Sequence, residues 1–212
     1  MTTTVNGNKQ RIIVIAGPSG SGKGSALKAL PAGYKKAVSV TTRKIRQNEI
    51  PDVSYKFITQ KEFDDMEKSG ELLESNNFDS RTYGVRRSQI ASILEEGLNV
   101  VLDIDVNGAA SVKKHYPDAV LIFLMSPNAA IQKVRLERRD ENTAESVRAR
   151  LEAAKEEIAR VGEFDCVIVN EENAAEDATD AVNAILKFLD GKGYDEKRAK
   201  YCIDNYFKEI QI

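Results

Sequence analysis

The sequence has no tryptophan, a single histidine (His115) and only two cysteines (Cys166 and Cys202) in 212 residues. One histidine excludes multi-histidine metal sites, and two cysteines exclude both a disulfide framework and a four-cysteine zinc site; that scarcity suits a reducing compartment. Neither charge is in excess, because 31 Lys and Arg stand against 33 Asp and Glu for a formal net charge of -2. Without a global basic field there is nothing to hold a nucleic-acid backbone, so nucleic acid is not an expected partner and any anion must be held locally. The longest apolar run, residues 119–125, is far too short to span a bilayer, and the opening MTTTVNGNKQR lacks the apolar core of a signal peptide. These absences predict a cytoplasmic protein with no membrane partner.

What is present is an ordinary globular composition, 42% hydrophobic and 30% charged, which excludes disorder. Short apolar runs recur at 12–16, 100–104, 119–125 and 167–169, separated by stretches of helical spacing. Continuous apolar strands alternating with helices predict an α/β fold whose parallel sheet is flanked by helices. Thr59 with Glu62, Asn142 with Glu145 and Asn173 with Glu176 each set a capping oxygen three residues before a carboxylate, and Pro127 after Ser126 reads as a first-turn proline. Residues 39–98 break the alternation, with strand-like pieces at 55–58 and 72–78 around one helix near 61–68, and read as a small inserted subdomain. Beyond the Gly-Lys-Gly stop at 191–193, Cys202, Ile203, Tyr206, Phe207 and Ile210 fall at helical spacing. They predict an amphipathic helix that docks on the core, a dimer contact being the alternative.

The most specific local pattern comes after the first apolar strand: Gly17-Pro18-Ser19-Gly20-Ser21-Gly22-Lys23-Gly24, then a helix-compatible segment over 25–30. Glycines let the backbone curl so that successive N–H groups point inward, the helix start adds a partial positive charge, and Lys23 can reach terminal phosphates. This predicts a site for a nucleotide polyphosphate. Gly24 stands where a Ser or Thr hydroxyl would normally touch Mg²⁺, and Ser25 is the nearest hydroxyl. Either Ser25 shifts in, or water fills the place while Asp103 or Asp105, near the end of the strand at 100–104, anchors the metal's water shell. A helix cap is the alternative role for these aspartates.

Further along stand Ser39-Val40-Thr41-Thr42-Arg43-Lys44-Ile45-Arg46, then Tyr55, Glu74, Tyr83-Gly84 and Asp103-Ile104-Asp105-Val106-Asn107-Gly108. Taken in order with the phosphate loop, these motifs resemble the guanylate kinase family over about residues 11–189. The resemblance implies a P-loop nucleoside monophosphate kinase fold. Its core would be residues 11–38, 99–134 and 151–190, its GMP-binding subdomain 39–98, its lid 135–150, and 191–212 a C-terminal helical extension of one domain. It also implies the reaction, transfer of the γ-phosphoryl group of ATP to GMP with Mg²⁺, giving ADP and GDP in purine metabolism; whether dGMP also serves as acceptor is left open by the sequence.

The residues make physical sense for that chemistry. Residues 17–25 would bind ATP, with Asn170 matching a position near the adenine side, and Ser25 and Asp103 would serve the metal, through water. Arg43 and Arg46, three apart, can converge on one phosphate, completed by the Tyr55 and Tyr83 hydroxyls. Glu74 can accept from the ring N–H and exocyclic amino group that guanine offers side by side, and would repel the bare ring nitrogen of adenine. Ser39, Asp103 and Asp105 match further acceptor-binding positions of the family. At Val85 the pattern departs, since such kinases usually carry Ser or Thr after Tyr-Gly. Lys23 with Arg135, Arg139 and Arg150, at positions matching the lid and its flanking helix, would neutralise charge on the transferring group, so no general base is needed and His115 reads as structural or solvent-facing.

Two rivals differ from this reading. A ribose 1,5-bisphosphate phosphokinase would suit an apolar residue after Tyr-Gly, but it has no base edge for Glu74. A catalytically silent interaction module would have little use for Lys23 or the lid arginines.

Overall fold

Each of the four apolar runs becomes a strand, because a stretch without polar side chains is stable only where both of its faces are covered. The computed structural model describes residues 4–5, 8–47, 49–78, 81–138, 143–171 and 176–208. Along the chain come β1 (Thr4–Val5), β2 (Asn8–Lys9), β3 (Ile12–Ala16), α1 (Lys23–Lys28), β4 (Tyr34–Lys36), β5 (Val40–Thr41), β6 (Lys56–Phe57) and α2 (Gln60–Lys68). Next are β7 (Leu72–Phe78), β8 (Arg81–Arg86), α3 (Arg87–Glu95), β9 (Asn99–Asp103), α4 (Val106–His115) and β10 (Val120–Met125). The last are α5 (Ala129–Glu137), α6 (Ala144–Ala159), β11 (Cys166–Val169), α7 (Glu176–Leu189) and α8 (Glu196–Asn205). Among the described residues no helix is long and apolar enough to cross a membrane. Two compact units share the chain: Met1–Ile13 with Ala32–Ala119, and Val14–Pro31 with Val120–Ile212.

In the first unit β9 pairs in parallel with β4, and a four-stranded sheet runs in the order β6-β5-β8-β7. One face of that sheet is covered by α2, whose Phe63 packs with Val40 and Leu72, and Ile58 and Met66 close the cluster. The capping box that opens α2 has both halves in place: Thr59 Oγ1 accepts from Glu62 N–H, and Glu62 accepts from Thr59 N–H at 2.7 Å. The expected strand piece at 72–78 is β7, but it carries a bulge between Leu72 and Glu74. A bulge sets two residues against one and re-aims the side chains beyond it; here Leu72, Leu73 and Glu74 are all buried. The expectation of one helix between 39 and 98 needs correction, since α3 is a second, burying Ile90, Ile93 and Leu94 along one stripe.

In the second unit β10 and β11 pair in parallel, Ile122 opposite Cys166. Helices α7 and α8 pack on β11, α1 on α7, and α5 on α6. Thus α8 does dock on the core, burying Ala199 and Cys202; Ile210 lies outside the described residues. Helix α1 starts at Lys23, two residues earlier than its pattern predicts. Pro127 is not a first-turn proline: Asn128 caps α5, its Oδ1 accepting from Ile131 N–H at 2.9 Å, and this leaves Pro127 ahead of the cap. Helix α6 is capped by Thr143 rather than Asn142, the hydroxyl accepting from Ser146 N–H at 3.2 Å. Asn142 and Asn173 lie outside the described residues.

Candidate active site

Two glycines of the phosphate loop in the second unit hold positions where a side chain would collide. Gly17 and Gly22 have φ of +139° and +92°, and a Cβ on them would stand 2.0 Å from the Leu124 carbonyl oxygen and 1.9 Å from Asn170 Nδ2. Around this loop the unit gathers polar side chains from three other elements. Asn170, just past β11 and 3% exposed, donates from Nδ2 to the Ser21 carbonyl at 2.9 Å. Arg150 of α6 donates to Ser19 Oγ at 3.0 Å. Arg135 of α5 donates to the Asn170 carbonyl at 3.1 Å and also to that of Glu171. Lys23 Nζ turns back on the loop itself, bonding the carbonyls of Gly17 and Pro18. Gln132, unremarked in the sequence and fully buried, donates from Nε2 to the Ser19 carbonyl at 2.8 Å. Arg139 lies outside the described residues.

A glycine loop that opens on the start of α1, with Lys23, Arg135 and Arg150 beside it, has the chemistry to hold a polyphosphate. Ser25 is exposed beside Gly24, and a Cβ on Gly24 would meet nothing within 4 Å. Among the described residues there is no group of three or more His, Cys, Asp or Glu that could hold a metal ion.

The first unit holds the other cluster. Thr41 and Thr42 tie residues 39–46 to β8: Thr41 Oγ1 donates to the Thr82 carbonyl at 2.9 Å, and Thr42 Oγ1 accepts from Thr82 N–H at 3.0 Å. Arg43, 6% exposed, is held by Glu49 at 2.6 Å and lies over the Tyr55 ring, its guanidinium carbon 5.4 Å from the centroid. Burial works against its charge, but Glu49 more than offsets this and holds the guanidinium above its ordinary pKa; Glu49 is correspondingly held low. Glu49 also accepts from Arg46 N–H at 2.9 Å, which closes the turn between the two arginines. Tyr55 and Tyr83 meet edge to face, ring centroids 6.0 Å apart. Burial, then Asp103, pushes the Tyr55 phenol up, so it stays a neutral hydroxyl. Lys36 reaches both, lying 5.3 Å from the Tyr55 centroid and 4.0 Å from Asp103. Ser39 is buried nearby, its carbonyl accepting from Lys56 N–H at 2.9 Å.

Glu74 lies on the sheet face opposite α2, beside its cross-strand neighbour Val85. It is 8% exposed, and Gly108 of α4 lies so close that a Cβ there would stand 2.9 Å from Glu74 Oε2. Burial, and then the Asp105 carboxylate, raises the Glu74 pKa to about 8, against a backbone hydrogen bond from Val85 that favours the carboxylate. Asp105 takes the cap role that was its alternative reading, accepting from Asn107 and Gly108 N–H at 2.9 Å each. A buried acid with no ion pair among the described residues is suited to reading N–H donors on a ligand. Exposed His115 meets the Ser111 carbonyl through Nδ1 at 2.9 Å and Arg87 of α3 through Nε2 at 3.5 Å.

Lys36, Glu49 and Gln132 are the polar residues that the sequence motifs do not reveal. An acid three and six residues from two arginines was the available signal for Glu49; Lys36 and Gln132 had none.

Comparison with known proteins bears on the chain as a whole. A family model described as guanylate kinase matches residues 9–188. A guanylate kinase of Lactobacillus acidophilus is 35% identical over 208 residues, 96% of this chain and 98% of that protein. One from Rubrobacter xylanophilus is 37% identical over 182 residues, covering 83% of this chain and 95% of that protein. The crystal structure of guanylate kinase from Anaplasma phagocytophilum superposes with a TM-score of 0.67 at 28% identity, covering 89% of each chain.

Proposed function

The chain belongs to the guanylate kinase family and is an ATP:GMP phosphotransferase, and we propose how its residues divide that work. Residues 17–25 hold the donor's phosphates, Lys23, Arg135 and Arg150 neutralise charge on the transferring group, and Asn170 buttresses the loop on the adenine side. Arg43, Arg46, Tyr55 and Tyr83 take the acceptor phosphate, while Ser39, Glu74, Asp103 and Asp105 form the side that reads the base. Arg139 is assigned to the transferring group by its position in the sequence motif alone. The observation that carries the acceptor assignment is Glu74: a carboxyl that is 8% exposed and has no ion pair among the described residues can accept from two adjacent N–H donors, which guanine offers side by side.

The acceptor's own phosphate oxygen is the nucleophile, so the protein need only orient the two nucleotides, exclude water and spread the negative charge. A divalent metal serves this reaction, and we assign it as Mg²⁺, held by the nucleotide's phosphates with Ser25 and Asp103 as oxygen donors through water; it would shield charge on the phosphates. GMP is the acceptor and dGMP a second one. We place the reaction in the cytoplasm, where both nucleotides are found. The relatives offer no support for a ribose bisphosphate kinase or a silent module.

ADP release measured against GMP, dGMP, AMP, UMP and ribose 1,5-bisphosphate tests the reading. GMP should be preferred, and Lys23→Ala should lower turnover by about a hundredfold or more while the protein stays folded. Near-native activity of Lys23→Ala, or a better rate on the sugar bisphosphate than on any nucleotide, would sink it.

A further inference from the structure

Tyr206, at the C-terminal end of α8, lies beyond residues 9–188 that the family model matches, yet it is 1% exposed and bonded at both ends. Its carbonyl accepts from the N–H of Ala129 at 2.8 Å, one of the donors that the first turn of α5 cannot satisfy internally. Its hydroxyl shares a short hydrogen bond with Ser126 and donates to Gln132 Oε1 at 3.2 Å. Burial pushes this phenol well above its ordinary range, so it remains an O–H donor. Gln132 uses the other end of the same amide on the phosphate loop, donating to the Ser19 carbonyl at 2.8 Å. Gly20 rests on that side chain, and a Cβ on it would stand 3.2 Å from Gln132 Cγ. Arg135 comes three residues later on the same helix. A second tie leaves α8 from Arg198, which bonds Glu171 through Nε and Nη2 at 2.8 Å each, and the carbonyl of Glu171 accepts from Arg135.

We propose that the C-terminal helix is a positioning element of the donor site, with Tyr206 as the positioning residue that orients Gln132 and, through it, the Ser19 turn of the phosphate loop. An amide held at its oxygen cannot rotate, so its N–H stays on the loop carbonyl; released, it can flip and leave that carbonyl unbonded. The effect falls on the donor nucleotide alone, because every group in the relay belongs to the loop, α5 or α8. This rests on the assignment of residues 17–25 to the donor's phosphates.

Tyr206→Phe keeps the buried ring and removes only the hydroxyl. It should raise the KM for ATP by about three- to tenfold, the worth of one hydrogen bond, leave the KM for GMP within about twofold, and keep the thermal midpoint within a few degrees. Gln132→Met, of similar shape and without the amide, should do the same, and the double variant should be no worse than the poorer single one, as expected for groups acting through one chain. An ATP KM that stays at the wild-type value in Gln132→Met, or ATP and GMP KM values that rise together as the midpoint falls, would overturn the proposal and leave Tyr206 a packing residue. If Tyr206→Phe does not fold, Gln132→Met decides alone. Lys23→Ala separates the two levels: its near-native activity would refute the loop assignment, whereas a crippled Lys23→Ala beside an unaffected Tyr206→Phe and Gln132→Met would refute only the relay.

Discussion

Raising the pH from 7 to 8.5 should tighten GMP binding, and the size of the effect is set by where Glu74 sits. Two N–H donors on a base need an ionised carboxylate, but burial beside Asp105 raises the Glu74 pKa to about 8 in the ligand-free protein. With a pKa there, about a tenth of the molecules carry the charged form at pH 7 and about three quarters at pH 8.5, so the apparent affinity for GMP should improve by about eightfold as a proton ceases to be lost on binding. The acceptor phosphate contributes little over this window, because its second ionisation lies near 6 and is about nine-tenths complete at pH 7. The assay is the KM for GMP at saturating ATP, with the KM for ATP followed alongside as the control. Glu74→Gln cannot titrate and should show a higher GMP KM that does not change with pH. The same group has a stability signature with a fixed sign. Its folded pKa is raised from 4.5 to about 8, so the folded state keeps a proton that the unfolded chain gives up, and stability declines as pH rises from about 4.5 to about 8. Over that window the midpoint of Glu74→Gln should fall less than that of the wild type. A wild-type GMP KM that is flat between pH 7 and 8.5, or one that falls equally in Glu74→Gln, would refute the assignment of Glu74 to the base.

Two further outcomes concern side chains at the same two sites. Val85 is fully buried opposite Glu74, so Val85→Thr should place a hydroxyl beside that carboxyl, lower the GMP KM at pH 7 by several-fold with little change in kcat, and flatten its pH dependence, as one added hydrogen bond of about 0.5–1.5 kcal/mol would; steady-state kinetics at pH 7 and 8.5 read both effects. Gly24 has open space where a Cβ would go and lies in the first turn of α1, so Gly24→Ser should fold at least as well as the wild type and lower the metal concentration needed for half-maximal turnover by about two- to fivefold, checked by titrating Mg²⁺ at fixed ATP.

Legible in the chain itself was whatever a few neighbouring residues determine on their own. The apolar runs became β3, β9, β10 and β11 because continuous burial is written in composition, and the glycines of the phosphate loop were legible because a positive φ leaves few alternatives to glycine. Strands β4, β5 and β8 were not legible. β4 and β5 are short, β8 is six residues long, and all three carry lysines, threonines or arginines; they are strands only because a partner pairs with them. The bulge at Leu72–Glu74 is invisible in principle to alternation, since an inserted residue shifts the pattern without leaving a composition of its own. The same distinction separates the residues that the motifs point to from those that only the structure shows. Motif residues stand close together in the chain, whereas those that hold them in place do not: Gln132 and the Ser19 carbonyl are 113 positions apart, and Lys36 and Asp103 are brought together by the pairing of β4 with β9. Glu74 stands between these cases. Its chemistry was legible from one carboxylate after two leucines, but its raised pKa was not, because that depends on Gly108 allowing α4 to approach and on Asp105 spending its own carboxylate on a helix cap. Burial under α4, and then the capping carboxylate of the same helix, therefore raise the pKa of an acid that is far away in the sequence.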